Sequence, residues 1–339
     1  MNSMVKVAAI AVIAAETLVA GQGKDAARVL SEVRKALGGE KLAAVKTLSA
    51  EGRSLRTGPD GNTRESEFEL SMDLPDRYLM RMAMVAMGNM SIYRMSGFNG
   101  GQPIDEIDRP PNLAGGNVVI RFAGPGGSSI DPEKATPEQK AELDRMRLLQ
   151  NKREFARLTL GMFATSLSSF PLEFTYAGEA ESADGKADVL DIKGDGDFKA
   201  RLFVDQQTHL PLMISWMDKE PVSITMGPRG TVPAGAGGPV AVGGGGTVVQ
   251  RFDGAGGAPS SPEEREKLLK ELEAKRKEAE ANRRTVEYRL YYADYQSTGG
   301  VKLPHKFQRS IDGKTTEEMI FDTLKVNPKI DAKRFQVSK

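Results

Sequence analysis

Apolar and polar side chains alternate in run after run along this chain, and most runs are closed by a turn signal. That pairing of period two with turn chemistry points to half-buried strands joined antiparallel, in a sheet with one apolar face. Phe68, Leu70 and Met72 alternate with Glu67, Glu69 and Ser71, and Tyr78, Met80, Met82 and Met84 share a face opposite Arg77 and Arg81. The same pattern returns at Phe198, Ala200, Leu202 and Val204, then at Leu210, Leu212, Ile214 and Trp216, and again at Val286, Tyr288, Leu290 and Tyr292. Pro59-Asp60-Gly61-Asn62 and Asp312-Gly313 supply the positive backbone angles that hairpin turns require. No strand, helix, strand rhythm runs through the body of the chain, which disfavours a parallel, doubly wound sheet.

Helices interrupt the pattern at three places. Between residues 24 and 37, Ala26, Val29, Leu30, Val33 and Leu37 recur at helical spacing, and Gly38-Gly39 stops the run. Thr136-Pro137-Glu138-Gln139 is a capping box that opens a helix through Leu143, Met146 and Leu149 toward Phe155, Leu158 and Met162. Ser261-Pro262-Glu263-Glu264 opens a third helix, charged, over about 262–284, with favourable i,i+4 pairs such as Glu263 with Lys267 and Glu271 with Lys275. Its apolar stripe is thin, so it reads as a solvated surface helix, with a partner-binding coiled coil as the competing reading. Gly- and Pro-rich stretches at about 97–132 and 227–260 read as long excursions out of the sheet.

At the amino terminus, Lys6 precedes an apolar run from Val7 to Ala15, and Leu18-Val19-Ala20 approximates a cleavage site. Residues 1–20 therefore read as a secretory signal peptide too short to span a bilayer, with an amino-terminal core helix as the alternative. With no cysteine in 339 residues there is no lipid-attachment site, disulfide or thiolate. Lys plus Arg number 47 and Asp plus Glu 46, so no net field draws the chain to nucleic acid or an anionic membrane. The expected product is a single domain over 24–339, monomeric and periplasmic, without a transmembrane segment in its mature form.

Catalytic constellations are sparse. His209 and His305 have no second metal ligand near them in sequence, and each reads as a turn or surface residue. Asp191, Asp195 and Asp197 read as a turn between strands, not a calcium loop. No G-x-S-x-G occurs, and the glycine runs are neither fed by a strand nor followed by Lys-Ser or Lys-Thr. A carboxylate pair assembled in space is the remaining route to an enzyme; otherwise the chain is expected to be non-catalytic and without a cofactor or metal. Met72, Met80, Met82, Met84, Met87, Met90 and Met95 crowd one stretch. Met adapts to varied apolar partners, although each methionine taken alone is equally at home in a core.

The order of elements, the Pro75-Asp76-Arg77-Tyr78 strand start, Gly97-Phe98-Asn99-Gly100-Gly101, Arg201-Leu202-Phe203-Val204-Asp205 and the closing run from Asn327 to Phe335 together resemble the periplasmic outer-membrane lipoprotein-sorting family, the LolA-like proteins with their LolB and RseB relatives. The resemblance covers most of the mature chain outside the two Gly-rich stretches. It implies an α+β fold: a strongly curved antiparallel β half-barrel with helices covering the concave face, which receives acyl chains or lipoproteins without any covalent step. On that reading Phe68, Leu70, Met72, Tyr78, Met80, Met82 and Met84 form the cavity wall, and Leu30, Val33 and Leu37 form the lid. In the lipoprotein carriers an Arg directly before the strand-start Pro helps hold the lid closed; here Leu74 occupies that position, a departure from the load-and-release pattern. The rival reading is an envelope sensor or scaffold that binds protein partners through the charged helix.

Overall fold

The computed structural model describes residues 25–58, 61–87, 90–108, 120–122, 136–182, 185–221, 247–249, 274, 278 and 281–336. Helix α1 (Ala26–Leu37) is followed by the single turn α2 (Glu40–Ala43), then by strands β1 (Thr47–Thr57), β2 (Thr63–Asp73), β3 (Arg77–Met87), β4 (Met90–Asn99), β5 (Gln102–Asp108) and β6 (Ile120–Phe122). Helix α3 (Pro137–Phe163) precedes β7 (Leu172–Ser182), β8 (Gly185–Gly194), β9 (Phe198–Asp205), β10 (Pro211–Lys219) and β11 (Thr247–Val249). The chain closes with β12 (Thr285–Thr298), β13 (Val301–Ile311), β14 (Lys314–Val326) and a 3-10 turn, Ala332–Phe335.

Twelve strands form one open sheet in the order β5-β4-β3-β2-β1-β14-β13-β12-β10-β9-β8-β7, and β6 pairs with β11 in a separate ribbon. Each pairing is antiparallel, as short turns between alternating strands require. Among the described residues no helix is long and apolar enough to cross a membrane.

The period-two pattern sorts side chains as expected. Phe68, Leu70, Met72, Tyr78, Met80, Phe198, Leu202, Val204, Val286, Leu290 and Tyr292 are all buried in one apolar cluster, together with Val29, Leu30, Val33 and Leu37 of α1 and Phe155, Leu158 and Met162 of α3. Both helices therefore pack on the same face of the sheet. Their ends are set locally: Asp25 accepts from the Arg28 amide, Gly38 closes α1 at φ +140°, and the Thr136–Gln139 capping box opens α3.

One turn of α3 touches strands far apart in the sheet. The Phe155 ring lies 5.2 Å from that of Phe98 on β4, while the Arg157 guanidinium lies 4.0 Å over Trp216 on β10. In a flat sheet the seven intervals between β4 and β10 would separate them by about 34 Å. The sheet is therefore curved.

Four expectations need correction. Residues 97–108 are sheet, not excursion: 97–99 complete β4 and 102–108 form β5, turning at Gly100 with φ +58°. Met84 falls at a register shift between β3 and β4, so the two-residue period breaks there and Met84 stays outside the core cluster. A second shift, between Pro211 and Met213, turns Leu212 to the opposite face, where it packs with Ala187, Val189, Phe203 and Met213. His305 is buried on β13, its Nε2 lying 3.3 Å from the Thr298 hydroxyl, instead of sitting in a turn or on the surface. The signal peptide, most of the Gly-rich stretches and nearly all of the charged helix lie outside the described residues.

Gly161 lets α3 approach β12, because a Cβ there would overlap the Tyr292 ring. Gly161→Ala gains about 1 kcal/mol of helix propensity and loses more to overpacking, which costs about 1–3 kcal/mol. The variant is expected to unfold at lower urea concentration with an unchanged denaturant slope.

Candidate functional site

The inner face has an apolar region and a charged one. At the start of β10, α1 covers hydrocarbon; toward the end of β10 the inward positions become polar. Ser54 and Arg56 continue the inward parity of Leu48 and Ala50 on β1, Arg309 continues that of Leu303 and Phe307 on β13, and Glu317 that of Met319 and Phe321 on β14. Facing them from α3 are Glu154 and Arg157.

These groups form one connected network. The Arg56 guanidinium donates to Glu317 Oε1 at 2.7 Å, and the Ser54 hydroxyl donates to the same oxygen at 2.9 Å. Arg309 Nε lies 3.6 Å from the other Glu317 oxygen, and Arg309 Nη2 donates to Glu154 Oε2 at 2.8 Å. Glu154 also accepts from Arg157 on its own helix. Arg157 stands between the rings of Phe198 and Trp216, and Trp216 stacks on Tyr288 at 5.4 Å and 17°.

Proton equilibria reflect this balance. Burial alone would raise the Glu154 carboxyl, but Arg309 and Arg157 outweigh it and lower its pKa to about 2. Burial opposes ionisation of Glu317 too, and Arg56 and Arg309 overturn that opposition. Burial lowers Arg157 even with Glu154 beside it, whereas Arg309, between two carboxylates, is raised despite its burial.

Attachment differs between the two helices. α3 is held by polar bonds: Asn151 Nδ2 donates to the Gly97 and Ile104 carbonyls, Arg147 pairs with Asp105, Glu154 with Arg309, and the Tyr292 hydroxyl donates to the Arg157 carbonyl at 2.6 Å. α1 is held by Val29, Leu30, Val33 and Leu37, and its polar contact to the sheet among the described residues is a long one, 3.8 Å from His209 Nδ1 to Glu32 Oε2.

The anticipated wall residues Phe68, Leu70, Met72, Tyr78 and Met80 lie together on this inner face, and Met82 packs partly against them, but they are 0–7% exposed. Side chains such as Phe155, 5.4 Å from the Tyr78 ring, already cover them. Leu30, Val33 and Leu37 lie on α1 in the same cluster. The charged network was missed by the sequence reading, although polar residues at inward strand positions were its signal. Among the described residues no cluster of His, Asp and Glu has the makings of a metal site. A shallow hollow on the other face, lined by Ala187, Phe203, Leu212 and Met213, lies away from this network.

Comparison with solved structures finds similarity along most of the length of this chain. Its structural neighbours are DUF1329 and LolA-superfamily proteins. A DUF1329 family protein from Desulfovibrio piger is 7% identical, over 92% of this chain and 97% of that one, with a TM-score of 0.43. A LolA superfamily protein from Nitrosomonas europaea is 8% identical over 91% and 97%, TM-score 0.42. An outer membrane lipoprotein-sorting protein domain from Vibrio parahaemolyticus is 10% identical over 91% and 97%, TM-score 0.39. No family model matches the chain, and no curated protein matches it. At this identity and overlap the neighbours' names describe the neighbours, and the chemistry of this chain is read from its own residues.

Because the Glu154 pKa is depressed on folding, its stabilisation is complete above its ordinary value of 4.5 and is lost as pH falls toward about 2. Its side chain is 24% exposed, so Glu154→Gln is expected to cost about 3 kcal/mol, the low end for breaking a buried pair. Urea titrations across that pH window should show a steeper loss for the native chain than for the variant.

Proposed function

We propose that this chain is a periplasmic carrier or binder of acyl chains, alone or on lipoproteins, acting by burial without a covalent step. In this reading the bent sheet is a half-barrel whose concave face is covered by α1 and α3. Phe68, Leu70, Met72, Tyr78, Met80 and Met82 form the receiving wall, and α1, through Leu30, Val33 and Leu37, is the movable cover.

The observation that carries the reading is the unequal attachment of the helices. Lifting α3 would break a buried ion pair and several hydrogen bonds, leaving charges unpaired in the core. Lifting α1 exposes hydrocarbon, at about 1.5–3 kcal/mol for each fully buried side chain. An acyl chain entering beneath it replaces hydrocarbon with hydrocarbon and offsets that cost. The closed face is then the unloaded form, and a ligand opens it by occupying the space of the α1 side chains. Methionines in the wall suit this, since their unbranched thioethers refill gaps of varied shape.

Export follows from the signal-peptide reading, and an envelope binder of hydrocarbon needs no net charge to find its ligand. The test is titration of delipidated protein with a fluorescent fatty acid. Saturable binding is expected, weakened about tenfold or more by Met82→Asp, which places a carboxylate against the wall. Absence of saturable binding to the native chain would end the proposal.

A further inference from the structure

The inner face holds one more positive charge than it neutralises. Arg56, Arg157 and Arg309 stand against Glu154 and Glu317, and all five belong to the buried network. Farther out, Asp218 acts on Arg157 and Arg283 acts on Tyr288, adding one charge of each sign. The excess is one.

The surplus group is Arg157. Arg309 joins β13 to α3 through Glu154, and Arg56 joins β1 to β14 through Glu317. The ion-pair partner of Arg157 among the described residues lies three residues away on the same helix, and Arg157 meets the sheet through the faces of Phe198 and Trp216. Its Nε is buried with no acceptor among the described residues, and so is that of Arg309. Both guanidinium groups face the Trp216 ring, at 4.0 and 5.8 Å. A structural role for α3 explains Glu154 and Arg309 and leaves Arg157 as a desolvated cation, held by Glu154 and the Trp216 face, whose buried Nε–H costs free energy while no acceptor meets it.

Its position relative to α1 completes the picture. Trp216 lies five residues, about 17 Å, along β10 from Pro211. Just before Pro211, at the other end of that strand, His209 meets Glu32 of α1. Between the two ends the inward side chains are Leu202, Ile214 and Leu290, hydrocarbon throughout. A cationic end and a greasy track toward the movable helix suit an amphiphile with one negative charge.

We propose that Arg157, beside Trp216 and Tyr288, receives the carboxylate of a long-chain fatty acid whose tail runs along the inner face toward α1. This rests on the acyl-chain reading above and adds head-group selectivity to it. The carboxylate accepts from the spare Arg157 Nε–H and brings the buried charges to balance, while the apolar tail displaces α1 side chains. A neutral amphiphile of equal length gains only the second term.

Trp216 is the only tryptophan in the chain, so its fluorescence reports on this position. The delipidated full-length protein would be titrated at neutral pH with dodecanoate and, separately, with dodecanol. Dodecanoate is expected to bind about tenfold tighter or more, as hydrogen bonds to a charged group imply, and to change Trp216 emission. In Arg157→Met, whose fold is checked by circular dichroism, the acid should fall to the level of the alcohol while the alcohol is unaffected. Equal affinity of the native chain for the two ligands overturns the head-group site and leaves chain burial standing. Binding of neither ligand removes the acyl-chain reading and this proposal with it. Should Arg157→Met fail to fold, the ratio of acid to alcohol on the native chain decides the question alone.

Discussion

A single carboxylate, Glu154, ties the long helix to the sheet from inside the apolar core. It accepts from Arg309 of β13 and from Arg157 of its own helix, and Arg309 in turn reaches Glu317 and, through it, Arg56 of β1. Three strands and one helix are thus fastened at one place by groups that cannot separate without leaving charge in a medium of low polarity. The same turn of α3 also meets strands two and nine in the order of the sheet, through Phe155 and Arg157.

Apolar burial supplies most of the favourable energy but little direction. Polar bonds decide which elements stay together when hydrocarbon is exchanged. α3 carries such bonds at Arg147, Asn151, Glu154 and the Arg157 carbonyl; α1 has four apolar side chains and a long contact to His209. Two helices on one face therefore have different freedom, from the distribution of a handful of polar groups and not from their burial. The proposed binder, which must open and yet remain folded, would need such a division.

Much of the architecture was legible in the chain. Alternation at Phe68, Leu70 and Met72, or at Val286 to Tyr292, named the buried face because a strand turns successive side chains to opposite sides. The capping box at Thr136 and the stop at Gly38 fixed helix ends through local backbone bonding that needs no tertiary partner. Alternation failed where an extra residue entered a strand, at Met84 and Leu212, because a bulge is set by pairing with a neighbour distant in sequence. Composition alone put Gly100 and Gly101 inside an excursion running from residue 97, whereas they form the tight strand-to-strand turn that the family resemblance of Gly97 to Gly101 implied.

Local sequence thus determined that the described chain would form short antiparallel strands with one apolar face and amphipathic helices to cover it, since period, capping and turn chemistry act over a few residues. Only the tertiary structure decided that Arg56, Arg157, Glu154, Arg309 and Glu317 meet, because they come from three strands and a helix separated by up to 261 positions, as Arg56 and Glu317 are. It also decided that the inner face is closed by the chain's own side chains. The strength of a charge pair depends on the surroundings that the whole fold supplies, and no short window of sequence contains them.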